Sequence, residues 1–110
     1  MSNLSFGEAL TEVQAGQLIR RSGWNGKNMF VFQRPEDSLE VEMIVHKIKS
    51  LPQSVKDYFA QQNEKGLDGS AKIKFQSYLC LKNPDDSIVN GWVASQSDIV
   101  ADDWEVVNLA

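Results

Sequence analysis

Apolar positions near the start of the chain follow a helical period. Phe6, Leu10 and Val13 recur at that spacing with Ala9 beside them, which predicts an amphipathic helix over 6–15. Ser5 and Glu8 stand three apart, as in a capping box: the Ser5 hydroxyl accepts from the Glu8 N–H, and the Glu8 carboxylate accepts from the Ser5 N–H. Gly16 supplies the left-handed residue that stops the helix. Two strand patterns come next. Gln17 to Ser22 carries Leu18 and Ile19, and Asn28 to Gln33 carries Met29, Phe30, Val31 and Phe32. Asn25-Gly26 lies between them and suits a type I′ hairpin turn, because both residues tolerate positive φ. Such a turn sets Trp24 and Lys27 opposite each other, with Cβ atoms about 5 Å apart.

The middle of the chain alternates differently. Arg34 to Ser38 reads as a loop. Leu39, Val41 and Met43 alternate with Glu40 and Glu42, predicting a strand with one face inward, and 44–49 either extends it or turns helical. Pro52, followed by Ser54 and Asp57 at capping-box spacing, predicts a helix with Val55, Tyr58 and Phe59 on one face. Gly66 and Asp68-Gly69-Ser70 end it. Ile73, Phe75, Ser77, Leu79 and Leu81 alternate with Lys74, Gln76, Tyr78, Cys80 and Lys82, which predicts one long strand. Asn83 to Asp86 is a turn, and Ile88-Val89 starts a return strand. Ser95 and Asp98 form a further capping box, opening a short helix with Ile99 and Val100 facing inward, and Trp104 to Val107 is a last strand. The sum is an α+β fold: one domain, with an antiparallel sheet of about five strands and two or three short helices.

Composition narrows the class. The chain has 110 residues, 42% hydrophobic and 24% charged, in the range of one globular domain. No apolar run approaches the roughly 20 residues of a membrane helix, and no basic segment with an apolar core opens the chain. Cys80 is the only cysteine, so no internal disulfide is expected, and the expected location is the cytoplasm. A net charge of -4 argues against general DNA or RNA binding. The charge is uneven. Between Glu12 and Glu36 there is no acid but there are Arg20, Arg21, Lys27 and Arg34; after Lys82 there is no base but there are six acids, Asp85 to Glu105. Two mutually attracting faces explain this, and so does a small anion site on the basic segment.

Candidate chemistry is sparse. His46 and Cys80 are single residues without a dyad motif, and too few His and Cys residues remain for a zinc site. Ser95 and Ser97 have no base nearby in sequence. Asp102-Asp103 could be an acid–base pair, although a cap or an ion pair suits it better. The residue types that stand out are aromatic and amide-bearing: Trp24, Asn25, Lys27, Asn28, Trp92, Ser95, Gln96 and Asp98 gather around two turns. Aromatic faces stack on nucleobases, amides and carboxylates read base edges and ribose hydroxyls, and Lys27 with the neighbouring arginines suits phosphate. A tryptophan at a turn can equally be a lid on the core. The residues alone leave open a nucleotide-binding protein, an enzyme acting on the same nucleotide, and a structural oligomerisation domain.

Ser5 to Leu10 (SFGEAL), Gly23 to Phe32 (GWNGKNMFVF) and Ile88 to Trp104 (IVNGWVASQSDIVADDW) resemble the two ends of a family of small phage and prophage proteins, the second type of Thoeris anti-defence protein. The resemblance spans about half the chain, and the segment from about 34 to 71 corresponds to a variable insertion in it. It implies binding without turnover: sequestration of a cyclic ADP-ribose-type immune signal, with cyclic dinucleotides of a second defence system (CBASS) as further ligands of some members. It also implies a homotetramer with pockets between subunits, no cofactor, no metal and no membrane partner. The ligand-binding residues it implies here are Trp24, Asn25, Gly26, Lys27, Asn28, Trp92, Ser95, Gln96 and Asp98, with none catalytic.

Overall fold

The computed structural model describes residues 2–24 and 28–109. Asn25 and Gly26, expected to form a turn, and Lys27 lie outside the described residues. The chain divides into two compact units, 1–35 with 77–110, and 36–76.

Among its described residues the first unit holds a five-stranded antiparallel sheet and two helices. Its helices are α1 (Phe6–Gln14) and a short C-terminal one (Gln96–Val100). Its strands are β1 (Ile19–Arg21), β2 (Phe30–Arg34), and three more from the C-terminal half of the chain: Tyr78–Lys82, Ile88–Asn90 and Trp104–Val106. The second unit supplies β3 (Asp37–Glu40), α2 (Val41–His46), α3 (Gln53–Glu64) and β4 (Lys72–Phe75). In chain order the remaining elements are therefore β5 (Tyr78–Lys82), β6 (Ile88–Asn90), α4 (Gln96–Val100) and β7 (Trp104–Val106). The large sheet runs β6-β5-β2-β1-β7. The α+β class and the antiparallel sheet of about five strands agree with the sequence pattern; among the described residues the helices number four, and β3 and β4 form a second, two-stranded sheet.

α1 begins as its capping box predicts, with both Ser5–Glu8 bonds formed, at 3.0 and 3.1 Å. It stops at Gly16, whose φ is +100°, while the Gln17 N–H reaches back five residues to the Glu12 carbonyl, as in a Schellman closure. Ala9 and Val13 on its inner face pack with Leu4, Ile19, Val31 and Trp104 into the buried core of this unit. Phe6 lies at its edge, 5.5 Å from Trp104 between ring centres. These core residues are interleaved between the two ends of the chain, so the core closes only when β7 joins β1.

In the second unit the predicted strand through Val41 and Met43 is corrected: this segment is α2. Val41 and Ile44, three apart, are fully buried, so the helical period wins over the two-residue alternation. The first two N–H groups of α2 bond the Ala71 and Gly69 carbonyls, which ends the β3 ladder there. α2 lies against α3. The Ser54–Asp57 capping box does not form. α3 starts two residues earlier, with Pro52 at its N-cap and no side-chain cap, and Asp57 accepts from the Gln53 amide instead. The long strand over 73–82 is also corrected. It breaks at Gln76-Ser77 into β4, which pairs with β3, and β5, which pairs with β2. Unbroken alternation cannot show that two sheets claim the two halves.

The last third follows its pattern more closely. β6 and β7 match the predicted strands, and Ser95 caps α4. Ile99 and Val100, expected inward, are exposed. Polar contacts of Asp98, rather than an apolar face, hold this five-residue helix.

Candidate functional site

Local structure around Arg20 to Trp24 explains a cleft. β1 and β2 share one aligned pair, Ile19 with Val31, and then separate. β1 instead stays with β7, pairing Arg20 with Glu105 and Arg21 with Trp104. The Ser22 N–H continues this course by bonding the Asp103 carbonyl at 2.9 Å. The Trp24 N–H folds back on the Arg21 carbonyl at 3.2 Å. On the far side, Asn28 sits at φ +64°, a left-handed conformation that Asn tolerates better than most residues. Its carbonyl accepts from Lys82 Nζ at 2.8 Å. The resulting cleft has a volume of about 350 Å³ and is lined by Arg20, Arg21, Ser22, Trp24, Asn28, Met29 and Glu105.

Trp24 has two roles by position. It lines the cleft, and it is half-buried against the core. Its ring meets Trp104 edge-on at 5.4 Å and Trp92 at 6.3 Å, and Trp92 in turn meets Trp104 at 6.4 Å. All three contacts are steep, the geometry that suits aromatic quadrupoles. Trp104 is fully buried and fixed by its indole N–H, which donates to the Asp98 carbonyl at 2.9 Å. Trp24 and Trp92 thus join Trp104 in one cluster with a buried centre.

The charges beside the cleft are sorted between two arginines. Arg21 Nε donates to Asp103 at 2.9 Å and its Nη1 to Asp98 at 3.0 Å. Arg20 has only a looser partner, Glu105 at 3.4 Å, and its side chain is 41% exposed. Asp103 is doubly used, because its second oxygen accepts from the Gly23 N–H at 3.0 Å. The Arg21 guanidinium, and then the Gly23 N–H, hold the Asp103 carboxyl below its ordinary value. Burial pushes Asp98 up, but its bonds to Ser95 and Arg21 outweigh this and leave it lowered too. The Asp103 and Asp98 contacts raise Arg21.

The expected site residues divide accordingly. Trp24 and Asn28 face the cleft, and Trp92 touches Trp24. Ser95 and Asp98 are engaged with each other in the α4 capping box, with Asp98 also on Arg21. Gln96 opens α4 and is exposed. Asn25, Gly26 and Lys27 lie outside the described residues. Of the candidates for acid–base chemistry, Asp103 is ion-paired, Asp102 is exposed, His46 is exposed at the end of α2, and Cys80 is buried in β5 with its thiol 3.6 Å from the Asn90 amide oxygen. Among the described residues no group of three or more acids, histidines or cysteines could hold a metal ion, and no helix is long and apolar enough to cross a membrane. Ser22, Met29 and Glu105 were not singled out by the sequence. Glu105 reaches the cleft only because β7 lies beside β1, a pairing between segments 85 residues apart that local patterning does not encode.

Comparison with known proteins places the chain in a family. The model of the Thoeris anti-defense 2-like domain matches residues 4–107. Thoeris anti-defense 2 of Bacillus phage SP01 is 32% identical over 107 residues, covering 97% of this chain and 98% of that protein. The match takes in both ends of the chain, which build the cleft, as well as the second unit between them, and the chain belongs to the Thoeris anti-defense 2-like family.

Proposed function

We propose that the protein acts against a bacterial defence system by binding and sequestering a cyclic ADP-ribose isomer, with cyclic dinucleotides as further ligands, without degrading them. The anti-defence role is supported by the family and by the name of the phage relative. The observation that carries the nucleotide reading is the cleft between β1 and β2. It brings the indole of Trp24, the amide-bearing Asn28 and a partly exposed guanidinium at Arg20 to one opening. These are the groups a base, a ribose and a phosphate require.

At about 350 Å³, the cleft is near the lower end for small-molecule sites, roughly 300–1,000 Å³. In the homotetramer proposed here, a second subunit closing over the cleft would enlarge the buried contact. Asn25, Gly26, Lys27, Trp92 and Gln96 belong to this proposed surface, and Ser95 and Asp98 support it. Capture rather than turnover is favoured by the state of the polar groups. Asp103, held deprotonated by Arg21, is not a proton donor at neutral pH, and the Ser95 hydroxyl already accepts from the Asp98 N–H. The site of action is the cytoplasm of the infected host, with no cofactor, and the net charge of -4 disfavours DNA or RNA as partner.

The test is capture and release. The protein is incubated with cyclic ADP-ribose isomers and cyclic dinucleotides, freed of unbound material, heat-denatured, and the supernatant analysed by mass spectrometry. Intact nucleotide is expected. An altered nucleotide would replace the sponge with a degrading enzyme, and no retained nucleotide would leave a structural oligomerisation domain.

A further inference from the structure

The cleft is bordered by two adjacent arginines whose surroundings differ, and the difference assigns them different work. Arg21 lies between two carboxylates, so its charge is more than neutralised locally and two of its donors are already used. Arg20 keeps most of its donors and faces solvent. Asp103 is the hub of the first arrangement. One of its oxygens takes Arg21 Nε and the other takes the Gly23 N–H, while its backbone carbonyl takes the Ser22 N–H. The next N–H along, that of Trp24, is fixed on the Arg21 carbonyl. The N–H groups of Ser22, Gly23 and Trp24 are therefore all fixed through Arg21 or Asp103. The ring of Trp24 is fixed from the other side by Trp104, whose indole N–H is held by the carbonyl of Asp98, the second partner of Arg21.

We propose that the Arg21–Asp103–Asp98 clamp is the positioning device of the site: it sets the backbone at Gly23 and the ring of Trp24 for ligand stacking, and it leaves Arg20 as the anion-facing charge. This rests on the nucleotide reading above for its ligand, but the clamp has a signature of its own. Both Asp103 oxygens act as acceptors toward donors, so an amide at this position can serve only one of them and turns an N–H toward the other. Asp103→Asn is therefore nearly isosteric and still breaks the clamp. Arg21→Lys keeps the charge but loses the planar fork that spans two carboxylates. Asp102, next in the chain but exposed and outside the clamp, is the control.

The experiment is nuclear magnetic resonance on the full chain, with the three indoles assigned by Trp→Phe variants, and binding of the best-retained cyclic ADP-ribose isomer measured in parallel. In Asp103→Asn and Arg21→Lys the Gly23 amide resonance is expected to move and to lose exchange protection, the Trp24–Trp104 cross-peaks to weaken, and affinity to fall about tenfold or more. Asp102→Asn is expected to change none of these. Arg20→Gln is expected to weaken binding while leaving the Gly23 and Trp24 signals in place. Unchanged Trp24–Trp104 cross-peaks in both clamp variants would overturn the proposal. So would a displaced Trp24 that binds as tightly as before. If the wild-type protein retains no nucleotide, the functional reading fails, and the Gly23 and Trp24 signals alone decide whether the clamp exists. Should Asp103→Asn fail to fold, Arg21→Lys carries the same comparison.

Discussion

At the scale of single residues, Trp24 answers a question the sequence poses and leaves open. A tryptophan beside an Asn-Gly turn is either a lid on the core or a ligand surface, and here the same ring packs on Trp104 and lines the cleft. Both roles carry a measurable cost. Trp24→Ala should lower stability by about 1–3 kcal/mol, less than for a fully buried tryptophan, and chemical denaturation will show it. The same variant should weaken nucleotide binding roughly 5- to 150-fold, the effect of losing one stacking partner worth about 1–3 kcal/mol. Trp24→Phe should recover much of the stability, and calorimetric titration will show how much of the binding returns. Gly23 gives a sharper local test. A Cβ there would lie 2.8 Å from the Asp103 carboxylate oxygen that accepts the Gly23 N–H. That carboxylate cannot swing aside without leaving Arg21. Gly23→Ala is therefore expected to destabilise the fold by about 1–3 kcal/mol, as overpacking does, with the loss read from the denaturation midpoint.

At the scale of elements, legibility in the sequence followed the range of the interactions involved. Both true capping boxes, at Ser5 and Ser95, were readable because each needs only four consecutive residues, and both form as predicted. The Ser54–Asp57 pair has the same spacing but no box; Pro52 starts that helix earlier and moves Ser54 inside it. The segment 41–46 carries both a two-residue and a helical apolar pattern, and burial of Val41 with Ile44 decides between them. In α4 the capping box does more than start a helix, because Asp98 also holds Arg21. Ser95→Ala should cost about 1 kcal/mol, the usual value for a lost N-cap, and calorimetric melting will show it. The acid dependence follows from the same carboxylates. Asp98 and Asp103 have lowered pKa values when folded. Their contribution is present above the unfolded aspartate value of about 3.9 and is lost as pH falls through their lower folded values. Stability measured by urea denaturation should therefore be flat in this respect near neutrality and fall below about pH 4. In Asp103→Asn the fall should be shallower, since one linked proton is removed; an identical acid slope would show that Asp103 is not stabilised in the native state.

At the scale of the whole molecule, the sequence showed the α+β class and an antiparallel sheet of about five strands but not which strands would meet. Cross-chain pairing is what builds the site: β7 beside β1 brings Glu105 to Arg20 and Asp103 to Arg21, and neither contact has a local signature. The same reasoning makes the second unit separable in principle. Arg34 and Tyr78 are direct partners at the end of the β2–β5 ladder, so their Cα atoms are about 4.5–5.5 Å apart. The segment between them enters and leaves at one point of the first unit. Every residue of the buried cluster around Trp104 (Leu4, Ala9, Val13, Ile19 and Val31) lies outside 36–76. Replacing residues 36–76 by Asn-Gly would leave Pro35-Asn-Gly-Ser77 as a four-residue hairpin loop, a common length for joining antiparallel strands. Such a chain is expected to fold cooperatively, with Trp104 still shielded from an aqueous fluorescence quencher and the Gly23 amide still protected from exchange. A non-cooperative melt with a quenchable Trp104 would mean that the first unit does not close its core without the second.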